Sequence, residues 1–276
     1  MCTSLFFVGT KNSSTKFRFV LAHNRDEYLA RETVRVHEQP AGDASFYGPT
    51  DLRAGGTWIG MSRNGRVCWL TNVREPPPRP ANGKSRGLLV SESFAGAQSV
   101  AHRVAEIAES KGAYNGFNFV IADVGGDEPV AFYCGNRVPA GEEGWRQVRG
   151  GVVLGMSNGV DFVDGPTDWP KVEAGKAAFA QAIEEAQNSE DLIDKILRLM
   201  SDQTEYQTAF PAGMFNRELE RALSPVCIHP SRCRGEYGTR TSTVIVVDHD
   251  GKAIYTEVDG VHEREPTRTD IRFDIE

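Results

Sequence analysis

Short runs of apolar or alternating residues, a pattern typical of β-strands, dominate the first third of the chain. They predict strands at residues 3–8, 17–23, 57–61 and 67–71. A glycine pair, Gly55-Gly56, precedes the third run, and Asn64-Gly65 is a hairpin signal between the last two. The pattern therefore predicts a β-hairpin over residues 57–72.

Apolar residues at helical spacing occur only after a proline-rich segment. Residues 76–80 read Pro-Pro-Pro-Arg-Pro, which predicts an extended loop because consecutive prolines remove backbone donors and fix φ. The spacing then predicts a helix over residues 88–109. Two more helices are predicted, one over residues 171–186 and one that Ser189 caps.

Strand patterns return between and after the helices. We predict strands at residues 117–122, 130–133 and 152–156, and a second hairpin over residues 241–258. The strands come in adjacent antiparallel pairs and the helices are grouped between them, which indicates an α+β fold. Because no repeat or composition shift marks a boundary, we expect one domain over residues 1–276, with a mobile tail after about residue 262.

Composition narrows the class of protein. The chain has 276 residues, 39% of them hydrophobic, and a net charge of −7. This acidic balance argues against a nucleic-acid partner or an anionic membrane surface. No run approaches the length of a membrane span and no signal peptide is evident, so we expect neither. The five cysteines are odd in number and irregularly spaced, which favours a reducing, cytoplasmic compartment.

Cys2 is the first candidate for chemistry. Removal of Met1 would leave it with both a thiol and a free α-amino group, which together can act as nucleophile and general base. The apolar run Leu5-Phe6-Phe7-Val8 can anchor this terminus in a strand. An ordinary buried thiol is the alternative interpretation of Cys2.

Polar residues also cluster where predicted apolar strands end. Amides at such points can donate to an oxyanion, and guanidinium groups can orient a substrate, so these residue types suit acyl transfer from a thiol. A solvated turn is the alternative for each cluster. The clusters are Ala22-His23-Asn24-Arg25-Asp26-Glu27, Leu70-Thr71-Asn72-Val73-Arg74, Gly155-Met156-Ser157-Asn158-Gly159 and Tyr237-Gly238-Thr239-Arg240-Thr241-Ser242.

Several ordered motifs, taken together, carry a family resemblance that covers residues 1 to about 258. The motifs are Met1-Cys2, Asn24-Arg25-Asp26-Glu27, Gly55-Gly56-Thr57-Trp58, Leu70-Thr71-Asn72-Val73-Arg74-Glu75, Lys84-Ser85-Arg86-Gly87, Tyr114-Asn115-Gly116-Phe117-Asn118, Ser157-Asn158, Trp169-Pro170-Lys171 and Gly235-Glu236-Tyr237-Gly238-Thr239-Arg240-Thr241. The chain resembles the NRDE family, also called the Transport and Golgi organisation protein 2 family. That family is similar in pattern to N-terminal nucleophile hydrolases of the choloylglycine hydrolase and penicillin V acylase type.

The resemblance implies a four-layer αββα sandwich with its site at the mouth between two mainly antiparallel sheets. It implies that Cys2 is the nucleophile and supplies the base, while Asp26 orients the amine. Asn72 and Asn158 would be the oxyanion and amine-holding amides, and Arg240 a late arginine beside the nucleophile. We predict that the substrate-binding residues are Asn24, Arg25, Trp58 and Arg74.

One departure concerns the arginine that related acylases carry three residues before the aspartate. Here that position is His23, and Arg25 directly precedes Asp26. Successive side chains of a strand point to opposite faces, so Arg25 should not face with Asp26 unless the strand end twists or bulges.

Two weaker signals concern ligands. A basic cluster surrounds the proline loop and would suit a phosphate or carboxylate, with a solvated loop as the equal alternative; its members are Arg74, Arg79, Lys84 and Arg86. Cys227, His229 and Cys233 are metal-type ligands at a spacing that fits no common zinc site, so we predict no metal.

Two functions remain open from the sequence. The first is an enzyme that cleaves an amide, ester or thioester, or transfers an acyl group, through an acyl-Cys2 intermediate, with no cofactor required. The second, which the resemblance implies, is a non-catalytic carrier or trafficking factor for a hydrophobic ligand, in haem movement or lipid and acyl-CoA homeostasis. Haem is the candidate ligand there, and a mitochondrial or Golgi association is the alternative location in a eukaryote.

Overall fold

The computed structural model of the chain describes residues 2–75, 83–126, 128–138, 143–160, 169–207 and 217–276. The proline loop predicted at residues 76–80 lies outside them. The described strands are β1 (Cys2–Val8), β2 (Phe17–Tyr28), β3 (Thr33–Ala41), β4 (Ala44–Asp51), β5 (Ile59–Met61), β6 (Arg66–Asn72), β7 (Phe117–Asp123), β8 (Val130–Gly135), β9 (Trp145–Gln147), β10 (Val153–Met156), β11 (Tyr237–Asp248), β12 (Lys252–Asp259) and β13 (Thr267–Asp274). The described α-helices are α1 (Gly87–Ser91), α2 (Val100–Ser110), α3 (Pro170–Glu185), α4 (Ser189–Met200) and α5 (Arg217–Ala222).

The strands form two antiparallel sheets. Sheet I has six strands in the order β10-β1-β2-β11-β12-β13, and sheet II has seven in the order β3-β4-β5-β6-β7-β8-β9. The prediction of an α+β fold is confirmed.

Three apolar clusters show that the molecule has four layers. One cluster fills the space between the sheets, where Phe6 and Leu21 of sheet I meet Trp69 of sheet II. A second packs sheet I against α3 and α4, and a third packs sheet II against α1 and α2. The implied αββα sandwich is therefore what the chain forms.

Sheet I has two different faces, and both are buried. Residues such as Phe6 point toward sheet II, and we call that face the sheet side. Neighbours such as Leu5 point toward α3 and α4, and we call that face the helix side. Because both faces are covered, β1 is an almost unbroken apolar run rather than an alternating one.

Both predicted hairpins are present. β5 pairs with β6 around the turn that contains Gly65, and β11 pairs with β12 around Gly251. Both glycines have φ above 80°, a conformation that favours glycine.

The predicted helix over residues 88–109 is wrong as a single element. The chain forms α1, a short 3-10 turn and then α2, because Ala95 is extended and Gly96 has φ 75°. The cap predicted at Ser189 is also wrong by one residue. Asn188 is the N-cap of α4, and its side chain accepts a hydrogen bond from the backbone N–H of Asp191.

The predicted mobile tail after residue 262 is wrong for β13, which pairs with β12 along its length. Phe273 is buried against the cluster between the sheets, and Ile271 packs on it. The charged residues Arg268, Asp270, Arg272 and Asp274 leave only two apolar positions in β13, too few to show a period-2 pattern in the sequence. The sequence also missed β3, β4, β9 and α5.

No helix in the described part of the chain is long and apolar enough to cross a membrane.

Candidate active site

Cys2 is the first residue of β1 and lies at the mouth between the two sheets. Its side chain is on the sheet side, directly opposite Arg25 of β2. It lines a cavity of about 210 Å³ whose wall includes Asp26 and Asn72 from the ends of β2 and β6, together with Trp58. The structure therefore brings Cys2, Asp26 and Asn72 together, as the family resemblance implies.

Asn158 holds the backbone nitrogen of Cys2. That nitrogen donates to Asn158 Oδ1 at 2.9 Å, and Asn158 Nδ2 donates to the Asn72 carbonyl at 2.7 Å. Ser157 Oγ donates to the carbonyl of Cys2 at 2.7 Å. Both polar groups of the Cys2 backbone are thus fixed by side chains that directly follow β10.

The charges around the thiol act in opposite directions. Burial raises the pKa of the Cys2 thiol, while the backbone N–H of Asp26 and the charge of Arg25 lower it. Burial also raises the pKa of Asp26, while the charge of the amino terminus, then the Lys171 ammonium and the Thr239 hydroxyl, lower it. A buried thiol of this kind needs a nearby base to become a nucleophile.

The four residues of the NRDE motif lie within β2 rather than after it, because β2 continues to Tyr28. Arg25 contacts sheet II: its Nη2 is 3.1 Å from Asp51 Oδ2, and its guanidinium lies 4.2 Å from the centre of the Trp58 ring. Asp26 instead accepts from Thr239 Oγ1 of β11 at 2.6 Å. Their side chains therefore diverge, as strand alternation predicts, although both line the Cys2 cavity.

A bulge in β11 accompanies this arrangement. Thr239 is opposite Asp26 and Thr241 is opposite Arg25, so Arg240 is an extra residue between them. The Arg240 guanidinium donates to the carbonyl of Arg31. Arg240 is absent from the described residues that line the two cavities at the mouth.

The prediction that Asn24 binds substrate is wrong. Its side chain is fully buried on the helix side. Asn24 Nδ2 donates to the carbonyls of Met200 at 2.8 Å and Val226 at 3.0 Å, and its Oδ1 accepts from Ser242 Oγ at 2.6 Å. All its hydrogen-bonding groups are used to fasten the end of α4 and the chain near Val226 to sheet I.

The turn after β4 closes one wall of the cavity. Asp51 accepts from Arg25 and from Arg31 Nε, the latter at 2.7 Å, which lowers the pKa of its carboxyl against the effect of burial. Gly56 has φ 72°, and a Cβ there would lie 2.5 Å from the carbonyl carbon of Gly87. Only glycine fits this approach, which seats the turn against the start of α1.

A second, larger cavity of about 720 Å³ adjoins the first and shares Asp26 and Asn72 with it. Arg74 is in its wall and pairs with Glu220, with 2.8 Å between Nη1 and Oε2. Within the predicted basic cluster, Lys84 and Arg86 line the smaller cavity, and Arg79 lies outside the described residues.

Buried polar groups continue behind Cys2 on the sheet side. His23 Nδ1 lies 2.8 Å from Ser4 Oγ, and burial lowers the pKa of His23 to about 3, so this ring is neutral. Glu257 accepts from the backbone N–H of Val36 in β3 at 2.8 Å, and burial raises the pKa of its carboxyl to about 7. His23 therefore does not supply the positive charge that an arginine would carry at its position.

The remaining cysteines have separate environments. Cys68 and Cys134 are buried in the apolar cluster beside α2. Cys227 is buried, and Cys233 lines the larger cavity. The described residues contain no group of three or more His, Cys, Asp or Glu placed to hold a metal ion.

Sequence reasoning missed three residues that the site uses. Ser157 and Thr239 were visible only as members of motifs, and Lys171 only as the last residue of Trp169-Pro170-Lys171. Each acts through contacts between distant parts of the chain. The position of Lys171 directly after a proline that can start a helix was the one signal in the sequence that could have suggested it.

The fold is an αββα sandwich of two antiparallel sheets between helix layers, with a cysteine at the start of an inner strand of sheet I. The chain belongs to the Transport and Golgi organisation 2 family, whose profile matches residues 1–260. A Transport and Golgi organization protein 2 homolog of Bos taurus is 33% identical over 93% of this chain and 92% of that protein. The Homo sapiens homolog is 31% identical over the same shares.

Two solved structures are similar at low sequence identity. A penicillin V acylase from Agrobacterium tumefaciens is 12% identical, with a TM-score of 0.49 over 99% of this chain and 86% of that one. A Caenorhabditis elegans N-acylethanolamine-hydrolyzing acid amidase ortholog is 12% identical, with a TM-score of 0.47 over 89% and 92%. Likenesses at this level carry no statement about activity.

Proposed function

We propose that this chain, once Met1 is removed, is an N-terminal cysteine hydrolase or acyltransferase that acts on a small-molecule amide, ester or thioester. The observation that carries the proposal is the 2.9 Å hydrogen bond from the Cys2 nitrogen to Asn158 Oδ1, beside a thiol that lines a cavity. Loss of Met1 would turn that nitrogen into a free amine already oriented by a side chain.

In the proposed reaction the Cys2 amine takes the proton of the thiol, and the thiolate attacks the substrate carbonyl. The side-chain amide of Asn72, in the cavity wall, donates to the oxyanion that forms. The protonated amine then gives its proton to the leaving group, and the acyl group stays on Cys2 Sγ. Water releases it as an acid, or an acceptor nucleophile takes it in a transfer.

Intact mass of the protein from its native source tests the premise, since the processed chain must begin at Cys2. A thiol-reactive acyl probe should then label the wild type and a Cys233→Ala variant equally. Cys233 is the matched control because its thiol lines the adjoining cavity. Labelling should disappear in Cys2→Ala.

Retention of Met1 in the active cellular form would exclude the mechanism, because a nitrogen in a peptide bond cannot act as the base. Equal labelling of Cys2→Ala and wild type would exclude Cys2 as the nucleophile.

We keep a hydrophobic-ligand carrier, with haem or a lipid as the ligand, as the second candidate function. The larger cavity supports it, because its wall includes Leu219, Leu223 and Tyr237 and does not include Cys2. A carrier should bind haem or a fluorescent fatty acid saturably in both wild type and Cys2→Ala. Absence of saturable binding for both probes would count against it.

A further inference from the structure

Lys171 is a fully buried lysine whose charge the proposed reaction does not use. It lies in the first turn of α3 with 1% of its surface exposed. Its Nζ donates to the carbonyls of Leu223 at 3.5 Å and Pro225 at 3.3 Å, and lies 5.6 Å from the ring centre of Trp169. Within the described part of the chain no carboxylate forms an ion pair with it. A buried ammonium with only neutral partners is costly, so its charge needs a counterpart.

The packing of α3 places Lys171 above the Cys2 end of sheet I. At the other end of the helix, the Ala186 carbonyl accepts from Lys16 Nζ at 3.0 Å, beside the start of β2. Midway, Gly175 packs on the side chain of Leu5 in β1. The helix therefore runs along β1 in the same direction, and its first turn lies over the strand end that carries Cys2.

Lys171 also shares the helix side with Asp26. Asn24, two residues before Asp26 on the same face, donates to the Val226 carbonyl, while Lys171 donates to the Pro225 carbonyl next to it. The charges of Asp26 and of the Cys2 thiolate raise the pKa of Lys171 against the stronger lowering by burial. The reciprocal effect of Lys171 lowers the pKa of Asp26.

We propose that Lys171 is a positioning residue of the Cys2 site: its buried ammonium, on the same side of sheet I as Asp26, favours the carboxylate form of Asp26, which can hold the amine of processed Cys2. The consequence for catalysis rests on the proposed function. The electrostatic coupling between Lys171 and Asp26 is independent of turnover. Lys171 reaches the surroundings of Asp26 from the helix side of sheet I. The chain thus has a cation on that side, while position 23, on the sheet side, holds a neutral histidine.

Other titratable groups, on β1, on β2 and on the segment before β11, also interact electrostatically with Asp26. They are Cys2 of β1, Glu27 of β2, Cys227 and Cys233 of the segment before β11, and the amino terminus. Lys171 is the cation that reaches Asp26 from the helix layer. Arg74 acts on Lys171 itself and lowers its pKa further.

The test is the titration of the Asp26 carboxyl by ¹³C NMR in the processed protein, in wild type, Lys171→Met and Lys171→Arg. Loss of the charge should raise the Asp26 titration midpoint by about one pH unit, while arginine keeps most of the wild-type value. The pH profile of Cys2 alkylation by iodoacetamide should shift upward in the same variant. Lys176→Met, on the same helix, is the matched control and should shift neither.

An Asp26 midpoint that stays within about 0.2 units of wild type in Lys171→Met, with only a lower melting temperature, would reduce Lys171 to a packing role. If Lys171→Met does not fold, Asp26→Asn gives the reciprocal measurement. Because the coupling is mutual, that variant should lower the titration midpoint of the Lys171 amine, and an unchanged midpoint would also overturn the proposal. Neither titration needs a substrate, so failure of acyl labelling and failure of this inference are separate outcomes.

Discussion

The two faces of β2 at the mouth of the sandwich use the same four-residue motif for different purposes. On the sheet side, Arg25 reaches Asp51 and Trp58 and so joins sheet I to sheet II. On the helix side, Asn24 fastens the end of α4, and Asp26 meets Thr239 and the charge of Lys171. Because side chains alternate along β2, neighbouring residues of this polar run have different roles: one joins the two sheets, and the others lie on the helix side near the site.

The comparison also explains how the site manages without an arginine at position 23. A basic side chain there would lie on the sheet side, in the row of His23, Ser4 and Glu257. The chain has a neutral histidine in that row and a buried lysine on the opposite face. The positive charges that act on Asp26 therefore come from the amino terminus and from Lys171 of α3 rather than from position 23 of its own strand.

The largest effect should come from Asn24→Ala on the helix side. It leaves the carbonyls of Met200 and Val226 and the hydroxyl of Ser242 without their partner, so we expect a loss of about 3 kcal/mol in the free energy of unfolding. Urea unfolding measures it, with Asn12→Ala, an exposed turn residue, as the control within about 0.5 kcal/mol of wild type. A loss as small as that of the control would show that Asn24 is not the fastening residue.

Glu257 on the sheet side should make stability depend on pH. Its folded-state pKa of about 7 exceeds the ordinary 4.5, so the folded protein holds this proton more tightly than the unfolded chain. This contribution is present below about pH 4.5 and is lost as the pH rises to about 7. Glu257→Gln remains neutral and should be more stable than wild type at pH 8 by about 2 kcal/mol, with a much smaller difference at pH 4.5.

Urea unfolding at both pH values measures this difference. Glu109→Gln, which changes an exposed carboxylate of α2, is the control and should show no such dependence. The same stability difference at both pH values would contradict the assignment to Glu257.

Arg25→Met should have a smaller effect on stability than Asn24→Ala, because Asp51 keeps Arg31 and two backbone N–H groups as donors. We expect a loss of about 2 kcal/mol, from the ion pair and the contact with Trp58. Without the Arg25 charge the pKa of the Cys2 thiol rises, so alkylation of Cys2 at neutral pH should slow a few-fold. Arg25→Lys should restore the alkylation rate more fully than the stability; the reverse order would argue against an electrostatic role.

The smallest effect should come from Thr239→Val, which removes the hydroxyl that donates to Asp26 and accepts from the backbone N–H of Ile228. We expect a loss of about 1 kcal/mol and a higher Asp26 titration midpoint. Thr239→Ser keeps the hydroxyl and should match wild type in both measurements. Identical behaviour of the valine and serine variants would remove Thr239 from the environment of Asp26.

Local patterns predicted much of the fold correctly. The hairpins around Gly65 and Gly251, the strands β1 and β2 and the helix α3 follow from turn chemistry and periodicity within a few residues. β3 and β13 were missed because their alternation is carried by few apolar residues among many charges. The break between α1 and α2 depends on Gly96, which has a positive φ. A single glycine within a helical pattern is only a weak sequence signal for such a break.

The same distinction between local sequence patterns and tertiary contacts applies to the site residues. Cys2, Asp26, Asn72 and Asn158 were named from motifs, and the structure brings them together. Asn24 belongs to the same motif as Asp26, yet its amide is consumed by α4 and Val226, which no local pattern shows. Arg240 follows its motif in sequence, but a bulge turns it toward Arg31.

The sequence by itself determined most of the central strands and the helices α3 and α4, and that a cysteine with a potentially free amine begins the first strand. Those properties depend on periodicity and on residue chemistry, which are local. Only the tertiary structure decided that Asn158, 156 residues away, accepts from the Cys2 nitrogen, and that Lys171 and Asn24 donate to the adjacent carbonyls of Pro225 and Val226. Such contacts depend on the register of the strands and the docking of α3, which follow from the packing of whole layers rather than from any single motif.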